Sequence, residues 1–279
     1  GGRAEAERLA EVEHWRQTLP QQRRWPPPEC TPRRVHVSCD GILYCTNQSE
    51  PDPQHPGSRR LIWRQMRVGC VYWQDEHQGW HKQIVWGQEE DYLSFGASLY
   101  RLACRCGYRQ AEEKVFAADG GEWCWGIHRR YFADAAGILD WYHASEHVWE
   151  CGTALHQQDA PQRAWLDQAL GLMAEQGGEG LLQWLMAQRS ASRGRKRSAL
   201  DALIAYVQPR LDRMDYAHYR DQDWPIGTGM IESTGKQLVG VRLKGPGMHW
   251  CPHGATAVTA LRATDLNGNW HPFWKTLTL

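Results

Sequence analysis

Hydrophobic and polar residues alternate along the first third of the chain, which is the pattern of half-buried β-strands. The alternation predicts a strand over residues 34–44, a second over 61–73 and a third over 82–86, after a turn at Gly79. The polar, proline-rich stretch 46–60 is predicted to be a loop. The chain therefore opens with three predicted strands.

From residue 89 onward most apolar residues recur every three or four positions, as on one face of a helix. Two short apolar runs, 114–118 and 137–139, interrupt this spacing and are predicted to be strands. The predicted helices are 89–106, 122–132, 141–155, an all-helical block over 161–219, 230–243 and 255–266.

Strands interleaved with helices predict a mixed sheet with helices on both faces. The ribonuclease H-like fold has this order of elements. We therefore predict the α/β class: a ribonuclease H-like mixed sheet flanked by helices, with an all-α insertion between the last strand region and the helix of Glu232. The predicted segments are an N-terminal helix and proline-rich linker (1–34), the first part of the core (35–156), the insertion (157–224) and the closing helices (225–279).

The N-terminal segment has the character of the tail of a longer protein. The chain begins with Gly, and an amphipathic helix pattern runs into a Pro-rich breaker at 25–28. We expect a further N-terminal domain ahead of it. The apolar residues with helical spacing are Leu9, Val12, Trp15 and Leu19.

Composition narrows the class of protein only in part. Lys+Arg and Asp+Glu are equal at 32 each, so net charge does not indicate a nucleic-acid partner. The nine cysteines are an odd number and contain no CxxC pair, which favours reduced thiols over a disulfide framework or zinc ribbon. Since there is no long apolar run and no signal peptide, we expect a cytoplasmic protein that does not enter membranes and that joins the nucleoid when bound to DNA.

Basic residues are nevertheless concentrated in the run 189–197. A flexible basic segment of this kind can bind phosphates, and a solvated loop between helices explains it equally well. The candidate DNA-binding residues of this run are Arg193, Arg195, Lys196 and Arg197.

Three widely separated carboxylates indicate a metal site. Asp40 and Asp119 each end a strand-like run, and Glu232 follows a glycine-rich turn just inside a predicted helix. Two strand-end aspartates and a helical glutamate can converge on a pair of cations, and oxygen-only ligands suit Mg²⁺ or Mn²⁺. A metal pair of this kind can clamp the attacking and leaving oxygens of a phosphoryl transfer.

Four sequence strings define a resemblance that covers residues 35–266. They are ADGGEWCW at 118–125, ILDWYHASEH at 138–147, GTGMIES at 227–233 and RLKGPGMHW at 242–250. In this order they resemble insertion-sequence transposases of the Kra type, relatives of the Mutator-like DDE transposases. The third string has Thr228 and Met230 where the family pattern has Ser and Val.

The resemblance implies a DNA transposase that cleaves phosphodiesters and transfers strands with two Mg²⁺ or Mn²⁺ ions. It makes Asp40, Asp119 and Glu232 the catalytic, metal-binding triad, with Asp140 and His143 as the supporting D-x-x-H signature. The helical block would be the family's insertion domain. The implied partners are transposon ends and target DNA, with a homodimer or higher oligomer as the active form. Full-length members also carry an N-terminal DNA-binding region, which this chain lacks.

Each site residue also has a purely structural interpretation. Asp40 and Asp119 precede glycines and could simply form turns. Glu232 and Lys236 are four residues apart, so they could form a surface ion pair, whereas in the functional interpretation Lys236 faces the DNA backbone. Arg242 and Lys244 could contact phosphates or belong to a solvated helix end.

A zinc hydrolase is the first alternative, because residues 143–147 spell H-x-x-E-H. His143 and His147 would hold Zn²⁺, with Glu146 as the general base. Glu179 or Glu232 could nominally be the third ligand. A truncated, inactive DNA-binding remnant is the second alternative.

The 16 tryptophans raise one further question. Trp123, Trp125 and Trp141 flank the candidate residues, and unpaired bases could stack on them. Core packing is the favoured explanation. A glycosidase with stacking tryptophans and paired carboxylates finds no support in the four strings.

Overall fold

The computed structural model describes residues 26–88 and 91–275, together with the single positions 6, 10, 13, 14 and 17. The predicted N-terminal amphipathic helix, with Leu9, Val12, Trp15 and Leu19, lies outside the described residues.

Five strands form one mixed sheet in the order β3-β2-β1-β4-β5. β1 pairs antiparallel with β2, β2 antiparallel with β3, and β4 parallel with β5. The ribonuclease H-like topology is thereby confirmed, and β1 and β4 are neighbours as predicted. The strands are β1 Arg34–Pro51, β2 Arg59–Gln74, β3 Trp80–Gly87, β4 Glu113–Ala118 and β5 Ala136–Leu139.

The helices follow the predicted order, with an additional short one at the C-terminal end. Their bounds are α1 Tyr92–Arg105, α2 Glu122–Tyr131, α3 Trp141–Leu155, α4 Asp159–Ala191, α5 Gly194–Val207, a 3₁₀ turn at Gln208–Arg213, α6 Tyr216–Asp221, α7 Gly229–Gly235, a π-turn at Lys236–Gly240, α8 Val241–Leu243, α9 Pro252–Leu266 and α10 Trp270–Lys275.

The chain divides into two compact units. The first comprises Gly1–Lys114, Trp123–Ala135 and Gly229–Leu279, and the second comprises Val115–Glu122 and Ala136–Thr228. The boundary crosses β4, so the first unit holds the antiparallel strands and the second holds the parallel pair with most of the helical block. The predicted segment boundaries stay predictions.

In the first unit, both faces of the antiparallel strands are covered by helices. On one face, Tyr44 and Val68 belong to a buried apolar cluster with Ile231, Leu238 and Ala260 of the C-terminal helices. On the other face α1 lies close, because a Cβ on Gly69 would stand 2.8 Å from Leu99 Cδ1. Burial on both faces is the reason these strands are rich in apolar residues.

In the second unit, the long helix α4 is kinked at Gly177, where φ is +66°. A side chain would be strained in this conformation, and a Cβ here would stand 2.7 Å from the carbonyl oxygen of Met214. Gly178 N donates to that same carbonyl at 3.0 Å. The kink thus lets the chain after α5 pack against the middle of α4.

Two sequence expectations about β1 are wrong. Residues 46–60 are not one loop, because β1 continues to Pro51 and β2 begins at Arg59. Pairing of Glu50 with Arg60, beyond a bulge between Cys45 and Ser49, extends the ribbon despite its prolines. It follows that Asp40 does not end its strand but lies well inside it.

Across the described residues, none of the helices combines the length and the apolar character required to span a bilayer.

Candidate functional site

Asp40 and Glu232 line the same cleft in the first unit. The cleft has a volume of about 470 Å³. It brings together two of the three predicted carboxylates from positions far apart in sequence. The lining residues are Asp40, Ile42, Glu232, Gly235, Lys236, Gly240, Val241 and Lys244.

The strand places Asp40 on the same face as the buried core. Since side chains alternate along a strand, Asp40, Ile42 and Tyr44 share one face, and Asp40 is opposite Val68 of β2. That face packs on α7 and the helices after it. Asp40 is half-buried, and its Oδ1 accepts a hydrogen bond from the Gly41 amide at 2.6 Å.

A glycine lets the helix of Glu232 approach the strand of Asp40. A Cβ on Gly235 would stand 2.7 Å from Cδ1 and 2.9 Å from Cγ1 of Ile42, closer than side chains tolerate. Gly235 is three residues after Glu232, on the neighbouring turn of α7. This close approach therefore sets the position of Glu232 relative to β1.

The helix changes geometry directly after Gly235. Lys236–Gly240 is a π-turn between α7 and α8. Turns of this kind are rare and occur often at functional sites, because they redirect side chains on a continuous helix. Lys236 and Lys244, at the start of this turn and after its end, both line the cleft.

The cleft therefore contains both signs of charge. Asp40 and Glu232 supply carboxylate oxygens, while Lys236 and Lys244 supply ammonium groups. Glu232, Lys236 and Lys244 are exposed. Carboxylates suit a hard cation, and ammonium groups suit a phosphate. The predicted phosphate contacts are divided: Lys244 lines the cleft, and Arg242 is exposed on α8.

Asp119 directly follows β4, in the second unit, as the sequence predicts. Its Oδ1 accepts a hydrogen bond from the Gly121 amide at 2.9 Å. A Cβ on Gly120 would stand 2.8 Å from Nε2 of His143. The glycines after Asp119 thus allow this loop to lie against α3.

Asp140, the first residue of the predicted D-x-x-H signature, is a buried N-cap. Its Oδ1 accepts from the His143 amide at 2.7 Å, which caps α3. Its Oδ2 accepts from both N and Oγ1 of Thr228, each at 2.5 Å. The hydroxyl of Thr228 accounts for its tolerance in place of Ser, since either residue offers this donor.

Sequence reasoning missed Tyr206 and Arg210, in and after α5. The Tyr206 ring lies 3.8 Å from the His147 ring, and the Arg210 guanidinium carbon lies 4.3 Å from the same ring's centroid. Burial, opposed by Arg210, raises the pKa of Tyr206 to about 12. Burial, with His143 next in effect, lowers the pKa of His147. The one sequence signal was the spacing of four residues between an aromatic and a cation.

The histidines of the zinc alternative make intramolecular contacts. His143 Nδ1 lies 3.6 Å from Glu146, and His147 Nδ1 lies 3.4 Å from Glu150. In the part of the chain that the structure describes, no group of three or more His, Cys, Asp or Glu side chains could hold a metal ion. Both metal hypotheses, zinc and magnesium, therefore stay predictions.

The remaining candidates are dispersed. The basic residues Arg193, Arg195, Lys196 and Arg197 are all exposed around the start of α5. Arg195 and Lys196 also line a polar cleft of about 560 Å³ in the second unit, beside the ends of α3 and α4.

The three tryptophans near the candidate residues pack against other side chains. Trp125 is 1% exposed and belongs to the core. Arg67 lies over the ring of Trp123 at 5.7 Å, and Trp141 meets Tyr216 edge-on at 4.9 Å. These contacts agree with core packing as their main role.

No protein-family model and no curated protein matches this sequence. Among solved structures, the chain is similar to the Drosophila P element transposase strand transfer complex, with 10% identity and a TM-score of 0.29. The alignment covers 88% of this chain and 67% of that chain. Because the TM-score is low, the fold assignment depends on strand order and direction instead.

Proposed function

We propose that the protein is a DDE-type DNA transposase that cleaves and transfers phosphodiesters. The observation that carries this proposal is the shared cleft, in which Asp40 of β1 and Glu232 of α7 are accompanied by two lysines. A mixed sheet of ribonuclease H-like order and the four sequence strings support the same assignment.

The donor set fits a divalent cation. Mg²⁺ commonly binds one or two carboxylates and completes its shell with water and substrate phosphates, so Asp40 and Glu232 alone form a plausible protein contribution. Asp119 is the proposed third ligand. When bound, Mg²⁺ or Mn²⁺ ions would neutralise the developing charge at phosphorus and lower the pKa of a bound water.

The side chains of the chain itself would bind and orient the DNA. Lys236 and Lys244 would attract a backbone phosphate to the cleft and hold it beside the carboxylates. Asp140 would keep the start of α3 and the turn before α7 in place through Thr228. His143, beside Gly120, would brace the loop of Asp119.

Two phosphoryl transfers complete the proposed reaction. Water first attacks a phosphodiester at the element's end, which releases a 3′-hydroxyl. That hydroxyl then attacks target DNA, and the displaced 3′ oxygen leaves with its proton, so no covalent protein intermediate forms. In-line positioning and charge neutralisation supply most of the acceleration. Arg193, Arg195, Lys196, Arg197 and Arg242 are proposed contacts to DNA outside the cleft, in a homodimer or higher oligomer.

The test measures nicking and strand transfer on DNA with Mg²⁺ or Mn²⁺. We expect Asp40→Asn, Asp119→Asn and Glu232→Gln each to reduce both reactions by at least about a thousandfold, since each removes transition-state charge stabilisation. The control is Glu175→Gln, an exposed carboxylate on α4 that lines no part of the cleft. Full activity of Glu232→Gln, or Zn²⁺-dependent hydrolysis that is lost with His147→Ala, would overturn the proposal.

A further inference from the structure

β1 and β2 extend as a two-stranded ribbon beyond the part of the sheet that β3 covers. β3 pairs with β2 only as far as Arg67, opposite Gly87. Beyond that position β1 and β2 continue to pair with each other until Pro51 meets Arg59. We call this segment, residues 43–51 and 59–65, the distal ribbon.

One face of the distal ribbon is covered by the protein. Tyr44 and Thr46 are fully buried on it. Trp250 closes the edge of β1 there, because its amide donates to Cys45 O at 3.1 Å and its carbonyl accepts from the Asn47 amide at 3.0 Å. This face of the ribbon is therefore part of the core.

The opposite face carries exposed apolar side chains. Cys45 is opposite Trp63, and Leu43 is opposite Gln65, so Leu43, Trp63 and, two residues along, Leu61 lie on one face. Their exposed fractions are 49% for Leu43, 56% for Trp63 and 38% for Leu61. An indole at the centre of such a surface is costly to leave in water and indicates a binding role.

Positive charge accompanies this face. Residues 43–67 contain four arginines, at 59, 60, 64 and 67, and two carboxylates, Glu50 and Asp52. The carboxylates are engaged locally: Arg60 lies 2.6 Å from Glu50, and His55 lies 2.9 Å from Asp52. Arg59 is on the same face as Leu61 and Trp63, and its hydrogen bond to Ser49 Oγ at 2.9 Å leaves its charge in place.

The ribbon is continuous with the candidate site. Leu43 follows Ile42, which lines the cleft with Asp40 on the same strand. Nucleic acid that enters the cleft would therefore pass the base of the ribbon. A second protein copy fits this surface less well, because stable interfaces bury about 800 Å² on each partner, far more than three side chains offer.

We propose that the exposed face of the distal ribbon binds unpaired bases of DNA next to the phosphodiester in the cleft. The proposal rests on the proposed function for its choice of DNA as the substrate. Trp63 stacks on a base, Leu43 and Leu61 form the apolar floor beside it, and Arg59 pairs with a neighbouring phosphate. Stacking of a base on an aromatic side chain tolerates any base sequence.

The test compares the full-length chain with its Trp63→Ala, Trp63→Phe and Trp149→Ala variants. Trp149 is a matched control, since it is 52% exposed but lies on α3. Binding is measured by fluorescence anisotropy in EDTA, with a blunt duplex and with the same duplex carrying a single-stranded overhang. We expect Trp63→Ala to weaken binding of the overhang substrate by roughly 5- to 150-fold, the effect of one lost stacking contact. Trp63→Phe should retain most of that affinity, and the blunt duplex should be little affected.

Equal binding of the overhang substrate by Trp63→Ala and Trp149→Ala would overturn the proposal. A change in sedimentation mass in Trp63→Ala, with DNA affinity unchanged, would also overturn it and assign the face to contacts between copies. Because the assay contains no metal, its outcome is separate from catalysis. Absence of nicking by the wild-type chain would defeat the proposed transposase activity without removing a ribbon-dependent preference for unpaired DNA.

Discussion

Asp140 Oδ2 accepts two hydrogen bonds from Thr228, one from the backbone amide and one from the hydroxyl, each 2.5 Å long. The residues are 88 positions apart. The other carboxylate oxygen caps α3 through the His143 amide. Both residues are buried, at 2% and 6% exposure. One side chain thus fixes a helix start and the glycine turn that leads to α7.

This arrangement predicts a large stability loss in Asp140→Ala. The variant removes an N-cap, worth about 1 kcal/mol, and leaves buried Thr228 donors without their acceptor, at about 1–3 kcal/mol. We expect the free energy of unfolding in urea to fall by about 2–4 kcal/mol. Asp215→Ala is the control, because Asp215 caps α6 from an exposed position and should cost only about 1 kcal/mol. Equal losses in both variants would contradict the role assigned to Thr228.

Gly235→Ala tests the close approach of α7 to β1. The added Cβ would meet Ile42 at 2.7 Å, and such overpacking costs about 1–3 kcal/mol, which outweighs the gain of helix propensity. We expect reduced stability in thermal unfolding. The matched change, Gly229→Ala at the start of the same helix, meets no atom within 4 Å and should be neutral or stabilising.

Ile42→Val provides the second arm of this experiment, because it deletes the Cδ1 atom nearest to the new methyl group. The double variant should recover part of the loss, giving a favourable coupling free energy of about 0.5–1 kcal/mol. Additive effects would show that Gly235 acts through something other than Ile42.

Tyr206→Phe should not destabilise the protein. Among the described residues, the Tyr206 hydroxyl is buried without a hydrogen-bond partner, so its removal relieves a desolvation penalty. We expect the free energy of unfolding to stay level or rise by about 1 kcal/mol. Tyr216→Phe is the matched control, since that hydroxyl donates to Leu139 O at 3.1 Å and its loss should cost about 1 kcal/mol. A loss in Tyr206→Phe equal to that in Tyr216→Phe would indicate a hydroxyl bonded to water.

Local patterns predicted most elements, because alternation and helical spacing reflect which faces are buried. The prediction of α3 as 141–155 agrees with Trp141–Leu155, since Asp140 provides an explicit cap signal. The extension of β1 to Pro51 was missed because its prolines and polar residues resemble a loop, while pairing with β2 stabilises the ribbon. Tertiary pairing there overrides local propensity.

The candidate site was only partly predictable. Asp40 and Glu232 could be selected as carboxylates in suitable segments, and the structure places both on one cleft. The π-turn at Lys236–Gly240 has no residue signature that distinguishes it from an α-helix. Tyr206 lies in a helical block whose pattern indicates only burial. Its neighbours His147 and Arg210 become apparent only from the packing of α3 against α5 and the turn after it.

His36 makes stability depend on pH. Burial lowers the pKa of this histidine to about 4, with Arg34 lowering it further and Glu113 opposing. Between pH 6.5 and 4 the unfolded chain binds the proton and the folded chain does not. The contribution to stability is therefore complete above pH 6.5 and is lost as the pH falls toward 4. The shift corresponds to about 3 kcal/mol.

Urea unfolding at pH 7 and pH 4.5, in the wild type and in His36→Phe, measures this contribution. Phenylalanine cannot take up a proton and can keep the stacking on Tyr72, where the ring centroids are 4.9 Å apart. We expect the loss of unfolding free energy between the two pH values to be smaller in His36→Phe by about 2–3 kcal/mol. His77→Phe, at an exposed position, should behave as the wild type. If His36→Phe loses as much stability as the wild type on acidification, His36 is not held neutral by its burial, and carboxylates must account for the pH dependence.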